Sequence, residues 1–446
     1  MSRRKAVARR AQVSRPPEEA TIVDLAHDGR GVARIDGKTV FVPDALPGET
    51  VRLIRNSFHA TFDEARLEYV LTPSPDRVVP QCIHFGLCGG CALQHLAPAK
   101  QMEFKQHQLL EAFERIGKVT PKNILPPLQG DVWRYRRRAR LGAKWVVKKD
   151  KVLVGFRERG TPYLAELGSC AVLKSPLDQL LQPLADLIAG LAVKDKIPQI
   201  EVAVADNATA LVFRNLAALN DEDLGQLRQF GKTHSVQIYL QPGNYATVTP
   251  LDGKAEPLVY RLPKFDVEIE FQPADFIQVN GDMNRRMVEQ AVELLAPAAD
   301  DHVMDLFCGL GNFSLPLARV AAQVVGVDGE VGLIERARAN ARRNGITNAT
   351  FHAANLAEKV DGQPWASRKF HKILLDPPRA GAAEMLPMVD KSGARRVVYI
   401  SCHPASLARD AGLLVREHGF KLKAAGVMDM FAHTAHGEAI AVFERA

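Results

Sequence analysis

The sequence predicts a multidomain α/β chain in three parts, and three observations carry that reading. Residues 18–72 hold short β-prone runs separated by turn dipeptides, the pattern of a small barrel. A proline-marked linker then leads into a tight group of cysteines and an α+β region. The last third alternates short apolar runs with helical spacings, as a doubly wound parallel sheet does. At 446 residues there is room for two or three domains. The expected boundaries are a basic disordered tail at 1–17, an OB-like barrel at 18–74, a central α+β domain at 75–265 and a Rossmann-like domain at 266–446. Within the central part, the helical segment 93–125 is expected to pack on the C-terminal domain.

Composition narrows the class. Charged residues make up 24% and apolar ones 46%, as in a globular chain. No apolar run approaches a membrane span, and the basic N-terminus has no apolar stretch behind it to make a secretory signal. A cytoplasmic location without a membrane partner is expected. Six cysteines there are not read as a disulfide framework. The net charge is +7, and Arg3, Arg4, Lys5, Arg9, Arg10 and Arg15 supply six of it with no acid among residues 1–15. Such a tail fits an arm that finds phosphates.

Thr21–Leu25, Thr39–Val42, Thr50–Ile54 and Arg66–Val70 read as strands, with Asp28-Gly29, Asp36-Gly37 and Pro47-Gly48 as turns. The stretch GRGVARIDGKTVFVPDALPGETV resembles a TRAM domain, an OB-like barrel attached to RNA-modifying enzymes. That likeness implies RNA contact through one face and its loops. Pro73, Pro75 and Pro80 mark the linker. Cys82-x5-Cys88-x2-Cys91 follows, and Gly86, Gly89 and Gly90 give the tight turns that let thiolates converge. A closed site needs a fourth ligand. Cys308 and Cys402 sit in motifs of their own, which leaves Cys170 by elimination, with His84 as an alternative. Four cytosolic cysteines mean structural zinc or an iron–sulfur cluster, and spacing does not separate the two.

Residues 98–117 read as one helix with an apolar stripe of Leu109, Leu110, Phe113 and Ile116. WRYRRRARLGAKW, residues 133–145, reads as a strand. One face is Trp133, Tyr135, Arg137, Ala139, Leu141, Ala143 and Trp145; the other carries Arg134, Arg136, Arg138, Arg140 and Lys144. An arginine face of this kind can bind RNA phosphates while the aromatic face packs inward. A solvated edge strand with protective charge is the plainer alternative. Residues 146–265 then show a strand at 155–157, a leucine-rich helix near 177–191 and strands at 200–205 and 210–214.

In the last third, helix 283–295 is followed by strands at 303–307, 323–327, 349–353, 373–375 and 397–400. Cys308-Gly309-Leu310-Gly311 forms a tight loop after the first of these, and Asp328 lies roughly 20 residues beyond, where such sheets place the carboxylate for ribose hydroxyls. A pyrophosphate cradle would want a third glycine, and that position is Ser314. The loop therefore suits adenosine and ribose without phosphate, as in S-adenosylmethionine. Asp376-Pro377-Pro378-Arg379 fixes a carboxylate on a rigid turn at another strand end. Ser401-Cys402-His403-Pro404 places a cysteine between a strand and a helix N-terminus, where a lowered pKa and thiolate character are expected. His433-x2-His436-x-Glu438 reads as an active-site turn, with a metal site as the weaker option.

QVN at 278–280, DLFCGLGNF at 305–313, GVDG at 326–329, DPPR at 376–379, SCHP at 401–404 and HTAHGE at 433–438 together strongly resemble the RNA (uracil-5-)-methyltransferase family from about residue 18 onward. The barrel and the FGxCGGC cysteines resemble its branch acting on 23S ribosomal RNA, and imply a 4Fe–4S cluster on Cys82, Cys88, Cys91 and Cys170. The resemblance implies S-adenosylmethionine held by Gln278, Phe307, Asn312, Asp328, Asn355 and Asp376. It also implies methylation of a specific uridine at carbon 5, in RNA that is protein-free or in an early assembly particle, by a monomer. Carbon 5 is too weak a nucleophile unaided. Cys402 is expected to add to carbon 6, and Glu438 to remove the carbon-5 proton after methyl transfer. Asp328 stands where the family often has glutamate, and His403 where it usually has asparagine. The competing readings are an amino-methylase of adenine or cytosine using Asp376-Pro377-Pro378, and an RNA-binding protein with an inactive Rossmann domain.

Overall fold

The structure is a computed structural model that describes residues 16–358, 360 and 362–445. The expected basic tail lies, through residue 15, outside the described residues. The chain divides into two compact units. One runs up to Gly86 and adds Cys91–Phe104 and His433–Ala435; the other holds Leu87–Gly90, Lys105–Ala432 and the residues from His436 onward.

In the first unit, β1 (Glu18–Leu25), β2 (Gly31–Ile35), β3 (Lys38–Val42), β4 (Thr50–Phe58) and β5 (Phe62–Thr72) close a barrel in the order β1-β2-β3-β5-β4. Strand alternation turns Ile22, Ala33, Val40, Val51 and Leu53 inward, where they fill the interior. The buried Glu49 carboxylate accepts from the Arg77 guanidinium and from the Leu46 amide, which fastens the linker to the barrel. Helix α1 (Pro98–Ala112) begins as expected but ends in a π-helical turn at Phe113–Gly117. That extra residue per turn rotates the stripe: Leu109 and Phe113 are buried while Ile116 is exposed.

The second unit contains two large sheets. After β6 (Asn123–Ile124), β7 (Arg138–Val146) and β8 (Lys151–Gly155) come α2 (Leu181–Gly190), β9 (Gln199–Val204), β10 (Thr209–Arg214), α3 (Asp221–His234), β11 (Gln237–Gln241) and β12 (Thr249–Pro250). They give a six-stranded sheet, β12-β11-β10-β9-β7-β8. Two expectations are corrected here. The strand expected at 133–145 starts only at Arg138, because Arg134 has φ +51° and breaks the pleat. The inward face was nonetheless read correctly, since Tyr135, Arg137, Ala139, Leu141 and Ala143 are all buried. The strand expected at 155–157 instead ends at Gly155, where φ is +141°.

β13 (Leu258–Leu262) and β14 (Val267–Phe271) form a hairpin. α4 (Gly281–Leu295), β15 (His302–Leu306), α5 (Ser314–Ala318), β16 (Gln323–Asp328), α6 (Val331–Arg343), β17 (Ala349–Ala353), β18 (Lys372–Leu375), α7 (Leu386–Lys391), β19 (Arg396–Ser401), α8 (Pro404–Arg416), β20 (Lys421–Met428) and β21 (Glu438–Glu444) complete the chain. The sheet order is β17-β16-β15-β18-β19-β21-β20-β6, parallel from β17 to β19, with β21 antiparallel to both neighbours. The five parallel strands fall where the apolar runs placed them. β6 lies inside the expected helical segment 93–125 and pairs with β20 at the sheet edge. No helix among the described residues is long and apolar enough to cross a membrane.

Candidate active site

The suspect residues gather at the carboxyl ends of β15, β16, β18 and β19 and at the start of β21. After β15 the chain reverses sharply: Phe307 has φ +66°, and the Phe307 and Cys308 amides both donate to the Val327 carbonyl. A positive φ on a bulky residue is strained and persists only where its surroundings hold it. Gly309 and Gly311 continue the turn with φ +52° and +92°. The Gly309 amide donates to Asp328 Oδ2 at 3.0 Å and the Glu330 amide to Asp328 Oδ1 at 3.0 Å, so the acid at the end of β16 is aimed by the loop itself. The Ala354 amide donates to the Asp328 carbonyl, which sets the β17 end beside it. Asn355 is exposed there and uses its side chain on its own turn, accepting from Ala357 and donating to Glu358.

Asn312 is committed to the protein. It exchanges two amide hydrogen bonds with Asn284 at 3.0 and 2.9 Å, and its oxygen also accepts from the Tyr260 hydroxyl at 3.0 Å. Neither partner was singled out in the sequence. Gln278 precedes α4 and donates to Asp376 Oδ2 at 3.5 Å. Its segment is held by Arg137, whose Nε donates to the Gln278 carbonyl at 3.0 Å.

Three carboxyl groups crowd this edge. Asp305 is buried in β15 and is pushed up to about 7 by burial, against a hydrogen bond from Ser314 and with the Asp376 and Asp328 charges adding to the rise. Asp376, half-buried after β18, is also pushed up to about 7 by burial. Glu438, buried at the start of β21, rises well above the ordinary carboxylate range through burial and then the Asp376 charge. Cys402 is half-buried at the end of β19 and hydrogen-bonded by Arg379.

The expected lowering of the Cys402 pKa is corrected. Burial pushes the thiol up, Glu438 and Asp376 add to this, and Arg379 only partly offsets them. At the start of α8 His403 is the N-cap, its Nδ1 accepting from the Ser406 amide at 3.3 Å. Arg379, on the same turn as Asp376, lies next to the sulfur. His436 is drawn below its ordinary value by partial desolvation and by Arg379, Lys105, Arg136 and His403.

Sequence reasoning missed Lys105, fully buried, whose Nζ donates to Asp429 Oδ1 at 2.7 Å. Its signal was a lysine four residues before Leu109 on the buried stripe of α1. The remaining residues lie elsewhere. Arg138 and Arg140 pair with the buried Glu201 of β9, and Arg134 with Asp178. Cys88 and Cys170 both pack against the core of the six-stranded sheet, and the Cys82 amide donates to Gln94. Among the described residues no group of three or more histidine, cysteine or acidic side chains is found arranged to hold a metal ion.

The arrangement of a ribose-type carboxylate, a buried pair of carboxyl groups and a cysteine beside an arginine agrees with what similar proteins are. The family described as tRNA (Uracil-5-)-methyltransferase matches residues 251–446, and the TRAM domain matches residues 18–53. A protein of Alkalilimnicola ehrlichii named 23S rRNA (uracil(1939)-C(5))-methyltransferase RlmD is 51% identical over 438 residues, covering 98% of each chain. One of the same name from Xanthomonas axonopodis pv. citri is 50% identical over 439 residues, covering 98% of this chain and 99% of its own. The crystal structure of Pyrococcus abyssi tRNA (uracil-54, C5)-methyltransferase in complex with S-adenosyl-L-homocysteine superposes with a TM-score of 0.72 at 23% identity. It covers 95% of this chain and 99% of that one, which establishes the shared fold.

Proposed function

The chain belongs to the RlmD family of 23S rRNA (uracil-C5)-methyltransferases, and from that membership we propose how its residues transfer a methyl group from S-adenosylmethionine to a uridine of 23S rRNA. The target is the uridine equivalent to position 1939 in its relatives' names, reached in protein-free RNA or an early assembly particle by a cytoplasmic monomer. The observation that carries the reading is Cys402 set beside Arg379, Asp376 and Glu438 at one strand edge.

Cys402 is the nucleophile. Its proton goes to solvent, Arg379 stabilises the thiolate, and the sulfur adds to uracil carbon 6; carbon 5 becomes an enolate carbon and takes the methyl group as the methyl–sulfur bond of the cofactor breaks. Glu438 then accepts the carbon-5 proton, the sulfur–carbon bond breaks, and the thiolate leaves as the carbon 5–carbon 6 double bond returns. Glu438 must be ionised to do this, whereas burial and Asp376 favour its neutral form in the free protein. Asp328 suits the ribose hydroxyls, since both its oxygens are oriented by backbone amides. Gln278, Phe307, Asn355 and Asp376 line the same edge. Asn312 supports the cofactor through its Asn284 and Tyr260 network, its side-chain oxygen already holding two donors. The target base must leave its stack to reach a cysteine this recessed.

The four cysteines Cys82, Cys88, Cys91 and Cys170 hold a 4Fe–4S cluster, with zinc as the alternative. Thiolate chemistry and the family likeness support this. No catalytic step passes through it. The test of function is methylation of protein-free 23S rRNA with labelled cofactor, mapped by mass spectrometry. A single 5-methyluridine at the equivalent of 1939 is expected, and label on an exocyclic amine would overturn the assignment.

A further inference from the structure

Lys105 and Asp429 form a buried ion pair that no step above uses. Lys105 is fully buried and Asp429 is 5% exposed. Besides its 2.7 Å bond to Asp429 Oδ1, Lys105 Nζ donates to the Phe431 carbonyl at 3.1 Å. The other end of its stem lies against Gly437: a Cβ there would sit 3.7 Å from Lys105 Cβ and 3.9 Å from Cγ. One side chain therefore touches Asp429 and Phe431 just after β20 ends and Gly437 just before β21 begins with Glu438.

We propose that the Lys105–Asp429 pair is a positioning device that holds the β20–β21 connection, and through it sets Glu438 where it can take the carbon-5 proton. A buried ion pair is weak evidence for stability, since apolar residues of similar volume often do as well. What an apolar pair cannot do is donate to a backbone carbonyl in a fixed direction. The Phe431 bond is that directional contact, and the Tyr135 hydroxyl makes a second one to the Ala432 carbonyl at 3.0 Å. Lys105 makes no contact with reacting atoms and acts through the loop, so it is a positioning residue. The inference rests on Glu438 being the base.

The test separates methyl transfer from adduct resolution in single turnovers with labelled cofactor and a 23S rRNA fragment. Lys105→Met alone leaves Asp429 buried and unpaired, so the double variant Lys105→Met/Asp429→Leu is the informative one. We expect it to keep a near wild-type thermal midpoint and methyl-transfer rate while resolving the covalent adduct about 10- to 100-fold more slowly, the scale set by a misplacement of about 1 Å. If the double variant does not fold, Lys105→Met/Asp429→Asn serves instead, because it removes the Phe431 contact while leaving a neutral amide in place of an unpaired buried carboxylate; slowed resolution at unchanged methyl transfer is again expected. Wild-type resolution, or equal slowing of both steps, overturns the proposal. Glu438→Gln is run alongside. If that variant turns over freely, the base assignment has failed; if it stalls while the Lys105 variants do not, only the positioning role has failed.

Discussion

Arg137 Nε donates to the Gln278 carbonyl at 3.0 Å, and the Arg137 amide donates to the Val279 carbonyl at 2.8 Å. One buried cation thus fixes the segment that presents Gln278 to Asp376. Its guanidinium also lies 4.8 Å over the ring of Tyr260, whose hydroxyl holds Asn312. Arg137→Met should cost about 1–3 kcal/mol of stability, the range for a lost charge-assisted hydrogen bond. Cofactor affinity should weaken about tenfold, a further 1.4 kcal/mol lost from binding. Arg137→Lys should rescue little, since an ammonium lacks the planar fork. Calorimetry and thermal melts measure both effects.

Asp305 gives a pH prediction. Its folded-state pKa is raised to about 7, above the ordinary value near 4. A raised carboxylate stabilises the fold while protonated, so its contribution is present below about pH 4 and is lost as pH rises through about 7. Asp305→Asn keeps an acceptor for the Ser314 hydroxyl and removes the charge. The melting temperature of the wild type should therefore fall more than that of the variant between pH 5.5 and 8.5. Each kcal/mol of difference is worth roughly 2–4 °C. Parallel curves for the two proteins count against the shift.

Much of this fold was legible because burial imposes regular spacing. The parallel strands are short apolar runs bounded by glycine, proline and acid, and they fall within a residue or two of their expected places. β20 and α3 were harder to read: β20 shows little alternation because it is buried on both faces, and the apolar positions of α3 are sparse. At the site, Asp328, Asp376, Cys402 and Glu438 could be read because each sits at a strand end in a short motif. What Arg137 and Lys105 hold could not. Their partners are a carbonyl 141 positions away and a carboxylate 324 positions away, and no local pattern encodes such a pairing. The thiol pKa was misjudged for a related reason: the carboxyl groups that raise it, Glu438 and Asp376, come from distant strands.

The arginines of residues 134–140 should divide into two kinds. The side chains of Arg134 and Arg140 are 69% and 60% exposed, while that of Arg138 is 15% exposed and bound to Glu201 at 2.9 Å. Arg134→Ala and Arg140→Ala should each reduce the slope of RNA affinity against salt by about one unit, as loss of one phosphate contact does. Arg138→Ala should leave the slope alone and lower stability, because Glu201 is buried. Filter binding across a salt series distinguishes them.

For the cysteines, protein purified without oxygen should be brown and contain iron and sulfide in about equal amounts. Cys88 and Cys170 pack on the core of the six-stranded sheet, so Cys88→Ser should bleach the colour and loosen that sheet. Cofactor binding at the β15–β16 edge should persist. Colourless protein with stoichiometric zinc would mean the alternative metal.

The last prediction concerns Cys402 and Arg379. Adduct formation needs the thiolate, and the thiol pKa is raised by burial, Glu438 and Asp376, so the rate of adduct formation should climb with pH instead of being flat near neutrality. Arg379 is the group that opposes the rise, by charge and by hydrogen bond. Arg379→Gln should move the rising limb to higher pH and slow adduct formation about tenfold at pH 7, the scale of one lost charge-assisted hydrogen bond. Part of that rate should return at high pH, which a misfolded variant would not show. Cys402→Ala should form no adduct at any pH, and 5-fluorouridine RNA should trap the wild type, because fluorine cannot leave as a cation. A denaturing gel of enzyme with labelled RNA reads all three as a slow band that survives boiling in detergent. An amino-methylase would give no such band and would tolerate Cys402→Ala, so a band from wild type that Cys402→Ala alone abolishes at every pH assigns the bond to this sulfur.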